Sequence, residues 1–208
     1  MKVIIVGGVA GGASCAARLR RLDEKAQILM VERGPYVSYA NCGLPYHVGN
    51  VIEKESSLLI GSEQMFKGMF GIDCRTQCEA VAIDSKKKTV DLRDVKTGAV
   101  TTEKYDKLVL SPGAPSVHPP LPGIDLPGIF HVRTVPDTRA IREWLEKGTD
   151  FLAGMSNYVG IQMVKPVTRA VVVGGGFIGL ETAENLVHRG FEVTLIQKGP
   201  RVLGPLDP

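Results

Sequence analysis

Two stretches of this chain repeat one pattern, and that repetition limits the fold more than any other feature. Residues 2–34 read KVIIVGGVAGGASCAARLRRLDEKAQILMVERG, and residues 169–199 read RAVVVGGGFIGLETAENLVHRGFEVTLIQKG. Each opens with a continuous β-branched run, Val3-Ile4-Ile5-Val6 or Val171-Val172-Val173, as expected of a parallel strand buried on both faces. A glycine-rich turn follows, then apolar residues at helical spacing, then a second apolar run at Ile28–Val31 or Val193–Ile196. Strand, turn, helix and strand fall in the same register twice.

This order predicts an α/β chain with two Rossmann-type dinucleotide-binding units. In the second, Gly174-Gly175-Gly176-Phe177-Ile178-Gly179 fits G-x-G-x-x-G. The first glycine allows a tight turn, the second lets backbone approach a pyrophosphate, and the third allows close helix–strand packing. The unpaired N–H groups at the helix start then face the phosphates. The first unit departs from this, because Gly7-Gly8-Val9-Ala10-Gly11-Gly12 has valine at the second glycine position. Its second strand ends in Glu32, a carboxylate able to accept from both ribose hydroxyls. Gln197 and Lys198 take the equivalent place in the second unit. Losing the carboxylate removes repulsion against a 2′-phosphate and Lys198 adds attraction, so NADH and NADPH both remain open.

Between the units, residues 74–91 and 100–110 read as short strands of a small β-meander around Asp84-Ser85-Lys86-Lys87-Lys88. Residues 1–115 therefore form the first domain, with the meander at about 74–110. SPGAPSVHPPLPG opens a connection over 116–166, and its Pro and Gly favour a rigid link over a polyproline ligand. A helix is expected over 137–147 with Asp137 as N-cap, whereas 148–166 has no clean period. Residues 167–208 are the second domain, limited to its first β-α-β unit.

Composition narrows the class further. With 44% hydrophobic and 23% charged residues the chain reads as globular. Net charge +3 suits anionic phosphates but lacks the dense basic stripe of a nucleic-acid binder. MKVIIVGG is too short for a signal-peptide core, and no apolar run approaches the roughly 18 residues of a membrane span. The default location is the cytoplasm, where Cys15, Cys42, Cys74 and Cys78 would be free thiols. Cys15 on the first helix reads as structural. Cys74 and Cys78 have no histidine nearby, and the four histidines make no ligand cluster, so no metal site is expected.

Cys42 lies in SYANCGLPYHVG without a second cysteine at redox spacing. Local sequence leaves two readings open. It is a small buried hydrophobe, or it opens a short helix over 43–48 whose dipole favours the thiolate.

Taken together, these pieces resemble one branch of the FAD-dependent pyridine nucleotide–disulfide oxidoreductases, with a fold like that of glutathione reductase. The branch comprises coenzyme A-disulfide reductases, NAD(P)H-dependent persulfide or polysulfide reductases and related NADH oxidases. GGVAGG, S-x-x-N-C-G-L-P-Y, L-x-L-S-P-G-A-x-P, V-x-D-T-x-A-I and GGGFIGLE-x-A-E-N-L carry the resemblance. In its light Val9 is a family marker within the flavin turn.

The resemblance implies that Gly7, Gly8, Val9, Ala10, Gly11 and Gly12 line the FAD pyrophosphate. Glu32 would hold its ribose, Arg33 would lie near adenosine, and Val81 would meet adenine through its backbone. Ser111, Pro112 and Gly113 would pass near FAD, and Arg133 and Asn41 would approach the flavin side. Gly174, Gly175, Gly176, Phe177, Ile178 and Gly179 would carry NADH or NADPH, with Glu181 near nicotinamide and Gln197 and Lys198 at the ribose. Cys42 would be the catalytic redox residue against the flavin. Ser14, Arg18, Arg21, Ser38 and Asn41 would contact coenzyme A, as substrate or bound ligand.

The implied activity passes electrons from NAD(P)H through FAD to a small-molecule disulfide, persulfide or polysulfide. An oxidase reducing O₂ through a Cys42 sulfenic acid is the enzyme alternative. Family members continue beyond the equivalent of Pro208 into further FAD and dimerisation segments. The 208 residues thus read as the N-terminal part of a longer homodimeric enzyme, and both nucleotide units as incomplete. A non-catalytic nucleotide-binding module is the alternative from another class.

Overall fold

The structure is a computed structural model and describes residues 1–146 and 169–204. The whole of the aperiodic 148–166 stretch and residue 147 of the expected helix lie outside the described residues. The chain forms two compact units. The first comprises Met1–Ala40 and Leu59–Pro115, the second Asn41–Leu58 and the described residues from Ser116 onward.

The first unit is built on a parallel sheet. β1 (Lys2–Val6) leads through a glycine turn into α1 (Ala10–Leu22), which returns to β2 (Gln27–Val31). Later in this unit come α3 (Glu63–Phe70) and β3 (Asp73–Arg75), α2 (Leu44–Val48) belonging to the other unit. A meander of β4 (Cys78–Asp84), β5 (Thr89–Asp94) and β6 (Val100–Lys104) precedes β7 (Lys107–Leu110). Sheet order is β3-β2-β1-β7, all parallel, with Ile4 opposite Leu29 and Leu108.

The continuous apolar run of β1 has a direct cause. Val3 and Ile5 pack with Ala13 and Ala16 of α1, while Ile4 packs on the other face with Cys78, Val90 and Leu92 of the meander. Ile4 and Ile5 are fully buried, each contributing about 1.5–3 kcal/mol of transfer free energy. Arg20 closes the outside of this layer. Its Nε donates to Phe70 O at 2.7 Å, Nη1 to Glu24 O at 2.6 Å and Asp23 O at 3.3 Å, and Nη2 to Gly71 O at 3.1 Å. One guanidinium thus satisfies carbonyls following α1 and at the end of α3.

The expected meander over 74–110 is corrected to 78–104, because β3 and β7 belong to the parallel sheet. Backbone pairing decides this. β3 registers with β2 through Leu29–Asp73, and the apolar KLVL run registers with β1.

In the second unit a 3-10 turn (Asn41–Gly43) precedes α2. Residues 135–146 form helix α4, and β8 (Arg169–Val173), α5 (Phe177–His188) and β9 (Glu192–Ile196) form the second glycine-turn motif. β8 and β9 are parallel in the register Val171–Thr194. Val48, Ile141 and Leu186 make the core where α2, α4 and α5 meet. Asp137 is not the N-cap expected from sequence. Thr134 occupies that role, accepting from Asp137 N at 3.4 Å, while Asp137 Oδ2 accepts from Thr134 N at 2.8 Å and Oγ1 at 2.7 Å. This is a reciprocal capping box, and it moves the helix start back to residue 135.

β8 also departs from double burial. It alternates exposed and half-buried residues, with Val171 62% and Val173 79% exposed among the described residues. Among the described residues no helix is long and apolar enough to cross a membrane.

Candidate functional site

In the first turn, Gly7 has φ +97° and donates its N–H to Val31 O at 2.8 Å. A Cβ on Gly7 would fall 1.9 Å from Ser111 O, and one on Gly12 would fall 1.7 Å from Gly7 O. The turn can therefore close only where side chains are absent. Gly11 faces Ser111 Oγ, 2.4 Å from an added Cβ, and Ser111 N donates to Val6 O at 2.7 Å. Gly7, Gly11, Gly12 and Ser111 thus converge, with Pro112 beside Gly7 and Gly113 following at φ +68°.

Val9 is the N-cap of α1 but supplies no capping hydrogen bond, and the first turn has no acidic residue. Its amides and positive dipole end are left for an anion, as a pyrophosphate-binding turn requires. Gly8 N donates to Glu32 Oε2 and Gly34 N to Glu32 Oε1, both at 2.8 Å. Each oxygen keeps a second lone pair, so the oriented carboxylate can still accept from a ribose hydroxyl. Arg33 projects outward, 3.7 Å from Glu79. Val81 sits where the β4–β5 register skips from Ala80 to Ala82, a bulge that takes its backbone out of the ladder. These features fit an adenine dinucleotide at the carboxyl ends of the strands. A shallow depression at Lys2, Gln27, Gly71 and Asp73 lies at the opposite, amino ends.

The second turn copies the first almost atom for atom. Gly174 has φ +110° and donates to Ile196 O at 2.8 Å, and a Cβ on Gly179 would meet Gly174 O at 1.8 Å. Gly176 is the N-cap of α5, again without a side-chain cap or first-turn acid, and Phe177 and Ile178 are exposed. Gly175 N donates to Gln197 Oε1 at 2.9 Å, the counterpart of Gly8 with Glu32. Gln197 Nε2 instead donates to Arg201 O at 3.2 Å, so the second turn presents an amide where the first presents a carboxylate. Lys198 is exposed beside it, and Glu181 is half-buried one turn into α5.

Ser38 holds a left-handed φ of 47° and donates its N–H to Gly8 O at 2.9 Å, which brings it to the first turn. Ser14, Arg18 and Arg21 are exposed at 4- and 3-residue spacing and so share one face of α1. In the second unit, Cys42 lies within the 3-10 turn and is exposed, which removes the buried-hydrophobe reading. Asn41 Oδ1, next to it, is buried with no hydrogen-bond partner in the described structure, as is Asn185 Oδ1. Such an orphaned acceptor fits a site that receives a donor from a ligand. Arg133 is half-buried just before α4.

The other thiols are of a different kind. Cys15 packs against the core around α1. Burial, reinforced by Glu63 and Asp73, pushes the Cys74 thiol up to about 12, and burial also raises Cys78. The His118 and His131 rings meet with centroids 4.0 Å apart and planes tilted by 42°.

Sequence reasoning missed a polar cluster behind Cys42. Arg142 Nη2 donates to Asn50 Oδ1 at 2.6 Å and Nη1 to Glu53 O at 2.8 Å. His47 is buried beneath it, with Nδ1 2.7 Å from Ile52 O and 2.9 Å from Arg142 Nη1. Nδ1 cannot donate to the carbonyl and accept from the arginine together. Burial above all lowers the His47 pKa, and Arg142 lowers it further. The Gly49-Asn50 turn signal was visible, but its arginine partner lies 92 residues away.

A family model described as pyridine nucleotide-disulphide oxidoreductase matches residues 1–208. Among curated proteins, the chain is 37% identical over 206 residues to the coenzyme A disulfide reductase of Staphylococcus haemolyticus, covering 99% of this chain and 42% of that protein. Among solved structures, it is similar to reduced Bacillus anthracis CoADR-RHD at 43% identity and TM-score 0.88, covering 99% of this chain and 34% of the other. A NAD-dependent persulfide reductase from A. fulgidus gives 35% identity and TM-score 0.85, covering 98% and 35%.

Proposed function

The chain belongs to the pyridine nucleotide-disulphide oxidoreductase family, and from that premise we propose that it serves an FAD-dependent NAD(P)H oxidoreductase acting on coenzyme A-linked disulfides or persulfides. The observation that carries this reading is the pair of matched turns, each binding its own second-strand side chain through one glycine amide, at 2.8 and 2.9 Å. Two such turns in one chain suit two dinucleotides. Glu32 suits the unphosphorylated ribose of FAD, and Gln197 with Lys198 tolerates either NADH or NADPH.

The chain's own residues have distinct tasks. Gly7 to Gly12 with the α1 amides hold one pyrophosphate, and Gly174 to Gly179 with the α5 amides hold the other. Arg18 and Arg21, aligned with Ser14 on α1, attract the phosphates of coenzyme A. Ser38 beside the first turn and Asn41 next to Cys42 are proposed to contact coenzyme A as well. Cys42 is the nucleophile. Its thiolate attacks one sulfur of the substrate, the S–S bond breaks, and one thiolate leaves while a mixed disulfide forms. Bound FAD supplies the two-electron link by which NAD(P)H returns that mixed disulfide to the Cys42 thiolate and a second free thiol. The sum is RSSR + NAD(P)H + H⁺ → 2 RSH + NAD(P)⁺. One protein thiol suffices because the substrate provides the partner sulfur. The whole protein is proposed to act as a homodimer in the cytoplasm.

Steady-state turnover of the FAD-loaded whole protein tests this. NAD(P)H oxidation should be matched by thiol release from coenzyme A disulfide or sulfide release from the persulfide, and Cys42→Ser should abolish both. NAD(P)H oxidation matched by O₂ uptake, without thiol or sulfide, would overturn the substrate assignment in favour of an oxidase.

A further inference from the structure

α2 is only five residues long, too short to hold its own shape, and Cys42 sits in the 3-10 turn that leads into it. What fixes α2 comes from α4 and α5. Its terminal carbonyls are taken by two arginines: His47 O by Arg142 Nη1 at 3.3 Å and Val48 O by Arg189 Nη1 at 2.8 Å. Cations at a helix C-terminus satisfy both its orphan carbonyls and its dipole. Asn50, in the left-handed region at φ 68°, completes the reversal after α2 and accepts from Arg142 at 2.6 Å. Glu146 lies 3.7 Å from Arg142 and 3.9 Å from Arg189 and joins the two. Further on, Arg139 grips Glu55 through two bonds of 2.8 and 2.6 Å. Gly49 sits so close to α5 that an added Cβ would lie 2.2 Å from Asn185 Oδ1.

We infer that Arg142 and Arg189 are positioning residues for Cys42: they lock α2 onto α4 and α5 and thereby fix the thiol for attack. The inference rests on the proposed role of Cys42. It also gives the second glycine turn a mechanical role, because the helix that begins at that turn, α5, sets Asn185 against Gly49 and leads directly into Arg189, which grips α2. Side-chain length and forked geometry matter here, since a single guanidinium serves Asn50, Glu53, Ile52 and His47 at once.

The test compares wild type, Arg142→Met and Arg142→Lys in the FAD-loaded whole protein, with Cys42→Ser as reference. One readout is kcat against KM for NAD(P)H. The other is the rate of Cys42 alkylation by iodoacetamide, followed by peptide mass. Arg142→Met should lower kcat about tenfold or more with KM for the nucleotide nearly unchanged, because the thiol and not the nucleotide turn is misplaced. Its Cys42 alkylation rate should change at least about threefold as α2 opens locally. Arg142→Lys should recover part of both, which loss of general stability would not predict. Wild-type kcat and alkylation in a folded Arg142→Met would overturn the inference. Should that variant fail to fold, Asn50→Ala removes the 2.6 Å acceptor from an exposed turn, and an unchanged alkylation rate there would overturn it equally. If Cys42→Ser keeps turnover while Arg142→Met alters alkylation, the clamp stands and the redox role falls. If Cys42→Ser is inactive and alkylation is unmoved by Arg142→Met, the clamp alone falls.

Discussion

Exchanging the two second-strand side chains, Glu32 and Gln197, probes the twin-turn reading at single-atom level. Glu32 accepts from two amides, Gly8 N and Gly34 N, each at 2.8 Å. Glu32→Gln keeps one acceptor but turns an NH₂ toward the other N–H, setting donor against donor. A hydrogen bond to a charged group contributes about 1.5–3 kcal/mol, and half-burial places this one near the lower end, about 1.5 kcal/mol. In a chain of this size about 1.5 kcal/mol corresponds to roughly 3–6 °C in Tm. The converse change has a different logic. Gln197 Oε1 accepts from Gly175 N, but Nε2 donates to Arg201 O, so Gln197→Glu sets two acceptors face to face. It should also destabilise, and it should add repulsion toward a 2′-phosphate and raise KM for NADPH more than for NADH. Scanning calorimetry of each variant with and without FAD, plus NADH and NADPH kinetics, reads all of this. An unchanged Tm in Glu32→Gln, or a stabilised Gln197→Glu with unaltered nucleotide preference, would refute the assigned hydrogen-bond roles.

Other outcomes follow from the same geometry. Arg20→Met removes the guanidinium that serves Phe70 O, Asp23 O, Glu24 O and Gly71 O, and urea unfolding should show a loss of about 2 kcal/mol. His47, buried and facing Arg142, Arg139 and Glu55, has a pKa lowered from 6.5. The unfolded chain therefore binds its proton more readily, so the stabilisation is full above about pH 6.5 and is lost as pH falls below it, by at most about 1.4 kcal/mol per pH unit. His47→Asn, which keeps a hydrogen-bonding side chain but does not titrate, should flatten Tm against pH between 7 and 5, and an equal slope in both proteins would refute the burial argument. Brief iodoacetamide labelling at pH 8 should mark exposed Cys42 and spare Cys74, whose thiol is pushed up to about 12. Preferential labelling of Cys74 in peptide maps would contradict its assigned environment.

The twin motif was legible because its determinants are local. A β-branched run, glycines at fixed offsets and an acceptor at the end of the second strand need no distant partner to be recognised. β1 also met the expectation of double burial, since α1 and the meander cover its two faces. What stayed hidden depends on residues far apart in sequence. The Val81 bulge exists only against Asp91 and Leu92 of the facing strand. The assignment of β3 and β7 rests on pairing with β2 and β1, which short apolar runs alone cannot specify. Thr134-Val135-Pro136-Asp137 carried a capping box in plain view, but the acidic residue drew the reading away from the threonine three positions earlier. The arginine clamp was beyond reach, because Arg142 meets His47 across 95 residues and Arg189 meets Val48 across 141.

The central claim is that substrate sulfur bonds to Cys42. Mixing the FAD-loaded whole protein with coenzyme A disulfide, in the absence of nicotinamide nucleotide, and mapping the peptides by mass tests it most directly. The account predicts one coenzyme A moiety in disulfide linkage to the peptide containing Cys42, released on adding NAD(P)H. Turnover of that substrate with Cys42 unmodified throughout would contradict it.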